Sequence, residues 1–397
     1  MTTTAPPPGT TRVGPPRAAP DVPPRPVRPV VTELRLAAFA SHWRRTLPLG
    51  PLTLLTGPSG SGASSALRAY EALARLGAGD ALEDVFPDPV SCVPERAVAD
   101  AEGRRGFRIG CTVDGPAGPV RLDVAVQAEP SLRIVGERLT AGGQTLLSTA
   151  LRDPRRPTVQ AAWHTAGQVP VTRAPLPDGR LATALLPLRV AGVTEGQLRV
   201  LAAAEQVVVG LHSAFLCDPL PGGMRGPARA GEERLRSGCD NLAAVLARTR
   251  TQCAHRHARL VAAAAAGCAG PVTALTTRES ADGKVEALVG RGAGRTTPIG
   301  RLGDGELRYV ALALVLLTGP HVLEVNTPDE IPWAMRALTV LTDGFDRGLD
   351  ARQSGELLRL AAGICADGHL RLLGTVGEAG AALAGATEGA VLVDLSG

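Results

Sequence analysis

Between an apolar run, Leu52 to Thr56, and a helical pattern stands the segment Gly57-Pro58-Ser59-Gly60-Ser61-Gly62-Ala63-Ser64-Ser65. The helix that follows places Leu67, Tyr70 and Leu73 on one face, and Gly77 suits its C-terminal stop. A strand, a Gly/Ser turn and a helix in that order turn successive backbone amides toward one point at a helix N-terminus. That arrangement suits an anion, and a phosphate above all. The pattern G-x-x-x-x-G-K-[ST] adds a lysine for the terminal phosphates and a hydroxyl for magnesium. Gly57, Gly62 and Ser64 hold their places in it, with Ser64 the candidate metal ligand, but the lysine place is Ala63. The bland alternative is a Gly/Ser turn that holds nothing.

The rest of the chain predicts an α/β protein. Glu33 to Ala40 reads as a strand. Phe107 to Val113 and Val120 to Val126 alternate as half-buried strands around the turn Asp114 to Gly118. Leu132 to Val135 adds a third strand, so an antiparallel meander follows the first helix. Arg152 to Gly179 is Pro-rich and expected to be loop. Thr194 to Gln197 fits a capping box opening a helix. A second helical stretch spans about 232 to 266, and Val272 to Thr277 with Val285 to Val289 reads as a hairpin. Leu302-Gly303-Asp304-Gly305-Glu306 precedes a helix to Leu317. A strand at Val322 to Val325, helices about 334 to 345 and 353 to 364, and strands at His369 to Gly374 and Ala390 to Leu395 complete the alternation. This pattern predicts a mostly parallel sheet shared with Leu52 to Thr56.

Composition sets outer limits. Of 397 residues, 44% are apolar, enough for a sizeable core, while aromatics are 3%, so Ala, Leu and Val must build it. Residues 1 to 30 form a Pro-rich tail with little to bury and are expected to be disordered. Among the 42 lysines and arginines Lys284 is the one lysine, and the net charge of +4 does not call for nucleic acid by itself. Seven scattered cysteines without a C-x-x-C pair suggest reduced thiols. No apolar run approaches a membrane span. A cytoplasmic protein is the expectation. Cys253, His255 and His257 do not converge on one helix face, so a plain helix surface is favoured over a zinc site.

The segments LRLAAFASHW, PLTLLTGPSGSGASSALRAYEAL and RLGDGELRYVALALVLL, with shorter stretches VGERL and CDNLAAVL, resemble the ABC-type ATPases of the RecF/SMC kind, also called AAA-family ATPases. The resemblance runs in order from about 31 to 374. It implies a P-loop NTPase fold over 31 to 397: an ABC-type head with an antiparallel meander and a helical lobe at about 194 to 300. It implies ATP or ADP and Mg2+ as ligands at Gly57 to Ser65, and a signature at Leu302 to Glu306. It also implies a possible homodimer, and nucleic acid by analogy alone. Departures accumulate: Ala63 for lysine, Gly303 for serine, Asn326 and Thr327 where two acids of a Walker B motif belong, and Val376 for a switch histidine. No catalytic residue is therefore assigned. The expected function is ATP binding with weak or no hydrolysis, or a non-enzymatic dimerising scaffold that has lost nucleotide.

Overall fold

A computed structural model describes residues 28–165, 171–232, 234–319, 322–325 and 337–396. The expected tail, up to residue 27, and Asn326 and Thr327 lie outside the described residues. A hairpin, β1 (Val30–Phe39) and β2 (His42–Pro48), leads into β3 (Leu52–Thr56) and α1 (Ala63–Gly77). After α2 (Leu82–Val85) come β4 (Arg105–Asp114), β5 (Val120–Glu129), β6 (Arg133–Ala141), β7 (Gln144–Ala150), β8 (Thr158–His164) and β9 (Val171–Pro177). Then follow α3 (Ala182–Leu185), α4 (Glu195–His212), β10 (Ala214–Leu216), α5 (Pro221–Met224), β11 (Ala228–Arg229), α6 (Leu242–Gln252) and α7 (Ala254–Gly267). The last third holds β12 (Ala274–Glu279), β13 (Lys284–Gly290), β14 (Thr296–Pro298), α8 (Asp304–Leu317), β15 (Leu338–Thr342), α9 (Ala351–Ala366), β16 (Leu370–Thr375), α10 (Glu378–Gly385) and β17 (Ala390–Asp394).

Two sheets organise these elements. Antiparallel strands run in the order β2-β1-β4-β5-β6-β7-β8-β9, wider than the three-strand meander expected from the sequence. The Pro-rich stretch expected as loop contributes β8 and β9, where alternation such as Val159, Ala161 and Trp163 buries one face. The second sheet, β10-β15-β16-β3-β17, is parallel throughout. Its interior strand β3 is buried over Leu52 to Leu55, as suits a strand covered on both faces. Helices α1 and α4 pack beneath the antiparallel sheet, through Leu67, Tyr70, Leu73, Val200 and Val207. The α4 helix, expected to open a helical lobe, belongs to this layer. Helices α6 to α9 surround the other core with Leu246, Leu260, Leu312 and Leu357.

Two expectations fail in the last third. The segment about 334 to 345, read as helix, contains β15, whose five residues are all buried. Five buried residues carry too little periodicity to separate a buried strand from a buried helix, and the β-branched Thr339, Val340 and Thr342 tip the balance to strand. Val322 to Val325, expected beside β3, is not a strand of that sheet; Leu323 makes an isolated bridge with Leu235. The stretch about 232 to 266 also breaks, because Cys253 leaves helical geometry at φ −151° and ψ 88°.

Candidate functional site

The parallel register aligns Thr342 with Gly374 and Thr375 with Leu55. The ends of β15, β16 and β3 therefore meet at one edge of the sheet, the carboxyl edge where α/β proteins place ligands. From that edge the chain leaves β3 into Gly57 to Gly62 and enters α1 at Ala63. Gly57 to Gly60 and Ser64 are exposed, so the turn is open to solvent. Inside it the Ser61 amide donates to the Pro58 carbonyl at 2.9 Å. The first-turn amides of α1 have no helical acceptor, and no acid stands in that turn. Buried His42, on the β1–β2 hairpin, donates from Nε2 to the Gly62 carbonyl at 2.9 Å and steadies the turn. Burial holds the His42 imidazole below its ordinary value; the bond to Gly62 opposes this and Arg45 adds to it.

The acid beside the turn is Asp343, which follows β15. Ser64 Oγ lies 2.9 and 3.0 Å from its two carboxylate oxygens. Thr375 Oγ1, at the end of β16, donates to Oδ1 at 2.6 Å and accepts the Gly344 amide at 2.7 Å. Arg347 Nη2 approaches Oδ2 at 3.5 Å. Asn326, where the resemblance places that acid, lies outside the described residues. The sheet place beside β16 belongs to β15, and Asp343 is the residue that follows it. The residue after this acid is Gly344, at φ +69°, a backbone shape glycine adopts without strain. A side chain there would meet Arg347, whose Nε would lie 2.7 Å from the added carbon. Val376, after β16, is buried and supplies no polar group.

Leu302 to Glu306 opens α8, with Gly303 at the N-cap and Asp304 as the first helical residue. The Gly303 amide is taken by Glu306 Oε2 at 3.0 Å, while Glu306 Oε1 accepts the Ala269 amide at 2.7 Å. Asp304 pairs with Arg225, which also donates to the Leu302 carbonyl at 2.9 Å. Gly305 lies so near the Gly348 carbonyl that an added side-chain carbon would approach its oxygen to 2.2 Å. One turn on, buried Arg308 donates to the Gly344 carbonyl at 3.0 Å and to the Pro219 carbonyl, and meets Asp218 at 3.3 Å. The signature-like segment is thus bonded to the loop after Asp343 within one chain.

Among the described residues no group of three or more His, Cys, Asp or Glu could hold a metal ion. A magnesium ion needs fewer protein ligands when phosphate oxygens and water complete its shell. Ser64 and Asp343 fit that requirement. His257 Nε2, by contrast, donates to the Leu275 carbonyl at 2.9 Å, and Cys253 stands at the junction of α6 and α7. Sequence reading missed Asp343, Arg347 and Thr375. The available signal was an apolar run, Leu338 to Thr342, ending in an acid.

No protein-family model matches the chain, and a search of curated proteins finds no match. Solved structures are similar to it at low identity. One is an SMC head bound to the C-winged helix domain of ScpA, at 12% identity and TM-score 0.46, covering 87% of this chain and 90% of that one. Another is the SMC head domain from Thermotoga maritima, at 11% identity and TM-score 0.43, with 92% and 94% covered. A third is the SMC head with an extended coiled coil bound to the C-terminal domain of ScpA from Pyrococcus furiosus, at 12% and 0.42, with 89% and 92% covered. No helix among the described residues is long and apolar enough to cross a membrane.

Proposed function

We propose that the chain is a nucleotide-binding head of the RecF/SMC-like ABC type that holds ATP or ADP with magnesium and hydrolyses ATP very slowly or not at all. The observation that carries this reading is the contact between Ser64 Oγ and the Asp343 carboxylate at the carboxyl edge of a parallel sheet. One chain segment offers helix-N-terminal amides and a hydroxyl, and another offers an acid beside them. Such a pair would hold magnesium through Ser64 and, directly or through water, Asp343, with the ion neutralising phosphate charge.

The same residues argue against turnover. Phosphoryl transfer is catalysed by positioning and by neutralising developing charge. Ala63 removes a charge-assisted contact of about 1.5–3 kcal/mol. Gly344 offers no carboxylate to orient water, and Val376 no imidazole to sense the terminal phosphate. Binding can outlast these losses, because backbone amides, Ser64 and Asp343 remain.

Calorimetric titration with ATP, with and without magnesium, tests binding. A phosphate-release assay beside an Ala63→Lys variant tests turnover. The expected result is magnesium-assisted binding, tighter in Ala63→Lys, with no measurable turnover in the unaltered chain. Turnover near ~1 s⁻¹, the low end of ordinary enzyme rates, would overturn the second half. Absence of binding in both proteins would favour a scaffold without nucleotide.

A further inference from the structure

Replacement of lysine by Ala63 leaves the glycine-rich turn without a cation of its own, and two arginines bond to groups at its borders. Arg68, on α1, donates to Ser65 Oγ at 3.1 Å. Ser65 is buried, and Arg68 lines a cavity with Phe39, Ala40, Glu71 and Ser91, behind the helix. Arg347 lies elsewhere. Its Nη2 is 3.5 Å from the Asp343 oxygen that lies 3.0 Å from Ser64 Oγ, so it stands one residue behind the hydroxyl of the turn. Its side chain is 53% exposed, and its ion pairs to Asp343 and Asp218 are long, at 3.5 and 3.6 Å, so an incoming anion can reach the guanidinium.

Two further contacts aim it. Arg347 Nη1 lies 3.6 Å from Asp218 Oδ1, and the same oxygen is 3.3 Å from buried Arg308. Buried Arg308 holds Asp218, and Asp218 holds the exposed guanidinium over the site. The place that a side chain at 344 would occupy is filled by Arg347, since an added carbon would meet its Nε at 2.7 Å and its Cζ at 3.0 Å.

We propose that Arg347 supplies to the terminal phosphates of a bound nucleotide the positive charge that Ala63 withholds, and that it does so from the space an acid after Asp343 would need. This rests on the nucleotide-binding reading above. A guanidinium suits the task, because its planar fork pairs with phosphate oxygens and its charge persists at any working pH. It also couples two losses. A chain that recruits its cation to this place gains phosphate affinity and gives up the position from which a carboxylate would act on water.

The test is calorimetric titration of the full chain with magnesium and ATP, ADP or AMP, using Arg347→Ala, Arg347→Lys, Arg68→Ala and the double variant Arg347→Ala with Ala63→Lys. Thermal melting confirms that each variant is folded. Arg347→Ala should weaken ATP and ADP by about tenfold to a hundredfold, the range for one charge-assisted contact, and AMP far less. Arg347→Lys should keep part of the affinity, Arg68→Ala should stay within about twofold, and Ala63→Lys should restore the double variant. Unchanged affinity in Arg347→Ala, beside clear binding by the unaltered chain, overturns this inference and leaves the nucleotide site standing. A greater loss in Arg68→Ala than in Arg347→Ala also overturns it. Binding by Ala63→Lys but not by the unaltered chain overturns it too, since Arg347 would then not replace the lysine. Absence of binding in both overturns it together with the reading on which it rests.

Discussion

Ser64 Oγ reaches both oxygens of the Asp343 carboxylate, at 2.9 and 3.0 Å, across 279 positions of sequence. The contact exists because β15 and β3 flank β16 in parallel, so the first-turn hydroxyl of α1 and the acid after β15 emerge at the same edge. The acid is also braced by Thr375 on the intervening strand.

Asp343→Asn should retain a polar partner for Ser64 and Thr375 while removing the negative charge. Magnesium should then lose most of its effect on ATP affinity, by about tenfold or more, the scale of one interaction with a charged group. Titrations with and without magnesium measure it. An unchanged magnesium dependence would show that Asp343 does not serve the ion.

Gly344→Ala places a side chain at φ +69° and against Arg347. The exposed arginine can move aside, so backbone strain should dominate, at about 1–2 kcal/mol of lost stability. Urea unfolding should show a lower midpoint with an unchanged slope.

Arg308→Leu removes a buried guanidinium that satisfies two carbonyls and an acid. Apolar bulk replaces the stem but leaves the Gly344 and Pro219 carbonyls without their donor. A loss of about 3 kcal/mol is expected, at the upper end for hydrogen bonds to charged groups. Arg308→Lys should recover less than half of it, because one ammonium cannot span the same partners. Thermal melts of the three proteins measure both effects.

His42 predicts a pH dependence. Burial depresses its pKa in the folded state from the ordinary 6.5, whereas the unfolded chain takes up the proton near that value. The unfolded state therefore binds more protons between the two values, and stability rises with pH across that window. The contribution of His42 should be complete above about pH 6.5 and decline as pH falls toward the folded value. Denaturant midpoints at about pH 7.5 and about pH 5 should differ less in His42→Gln than in the unaltered chain. An equal difference in both would place the pH sensitivity elsewhere.

Local grammar was legible in the sequence. The Gly/Ser turn lies between β3 and α1 as expected, Thr194 caps α4 with Gln197, and the segment at 302 opens α8. Each depends on neighbours a few residues apart. Asp343 was not singled out, for a non-local reason. Leu338 to Thr342 carries no period that separates strand from helix, and its identity is decided by register with β16, set by Leu370 to Thr375. The place of His42 beside the turn was not legible because its partner is a backbone carbonyl twenty residues away. Arg347 escaped because its meaning depends on two absences, the lysine at 63 and a side chain at 344. The strands β8 and β9 were hidden by prolines at 154, 157, 170, 175 and 177, which tolerate the ends and edges of a sheet.

The close seating of Gly305 on the Gly348 carbonyl, with Arg308 clasping the Gly344 carbonyl one turn on, fastens the start of α8 to the segment that carries Asp343. These two pieces are held together by that contact and that bond. Gly303 and Asp304 stand exposed at the head of that helix. The packing therefore makes the helix start and the acid-bearing loop one mechanical unit.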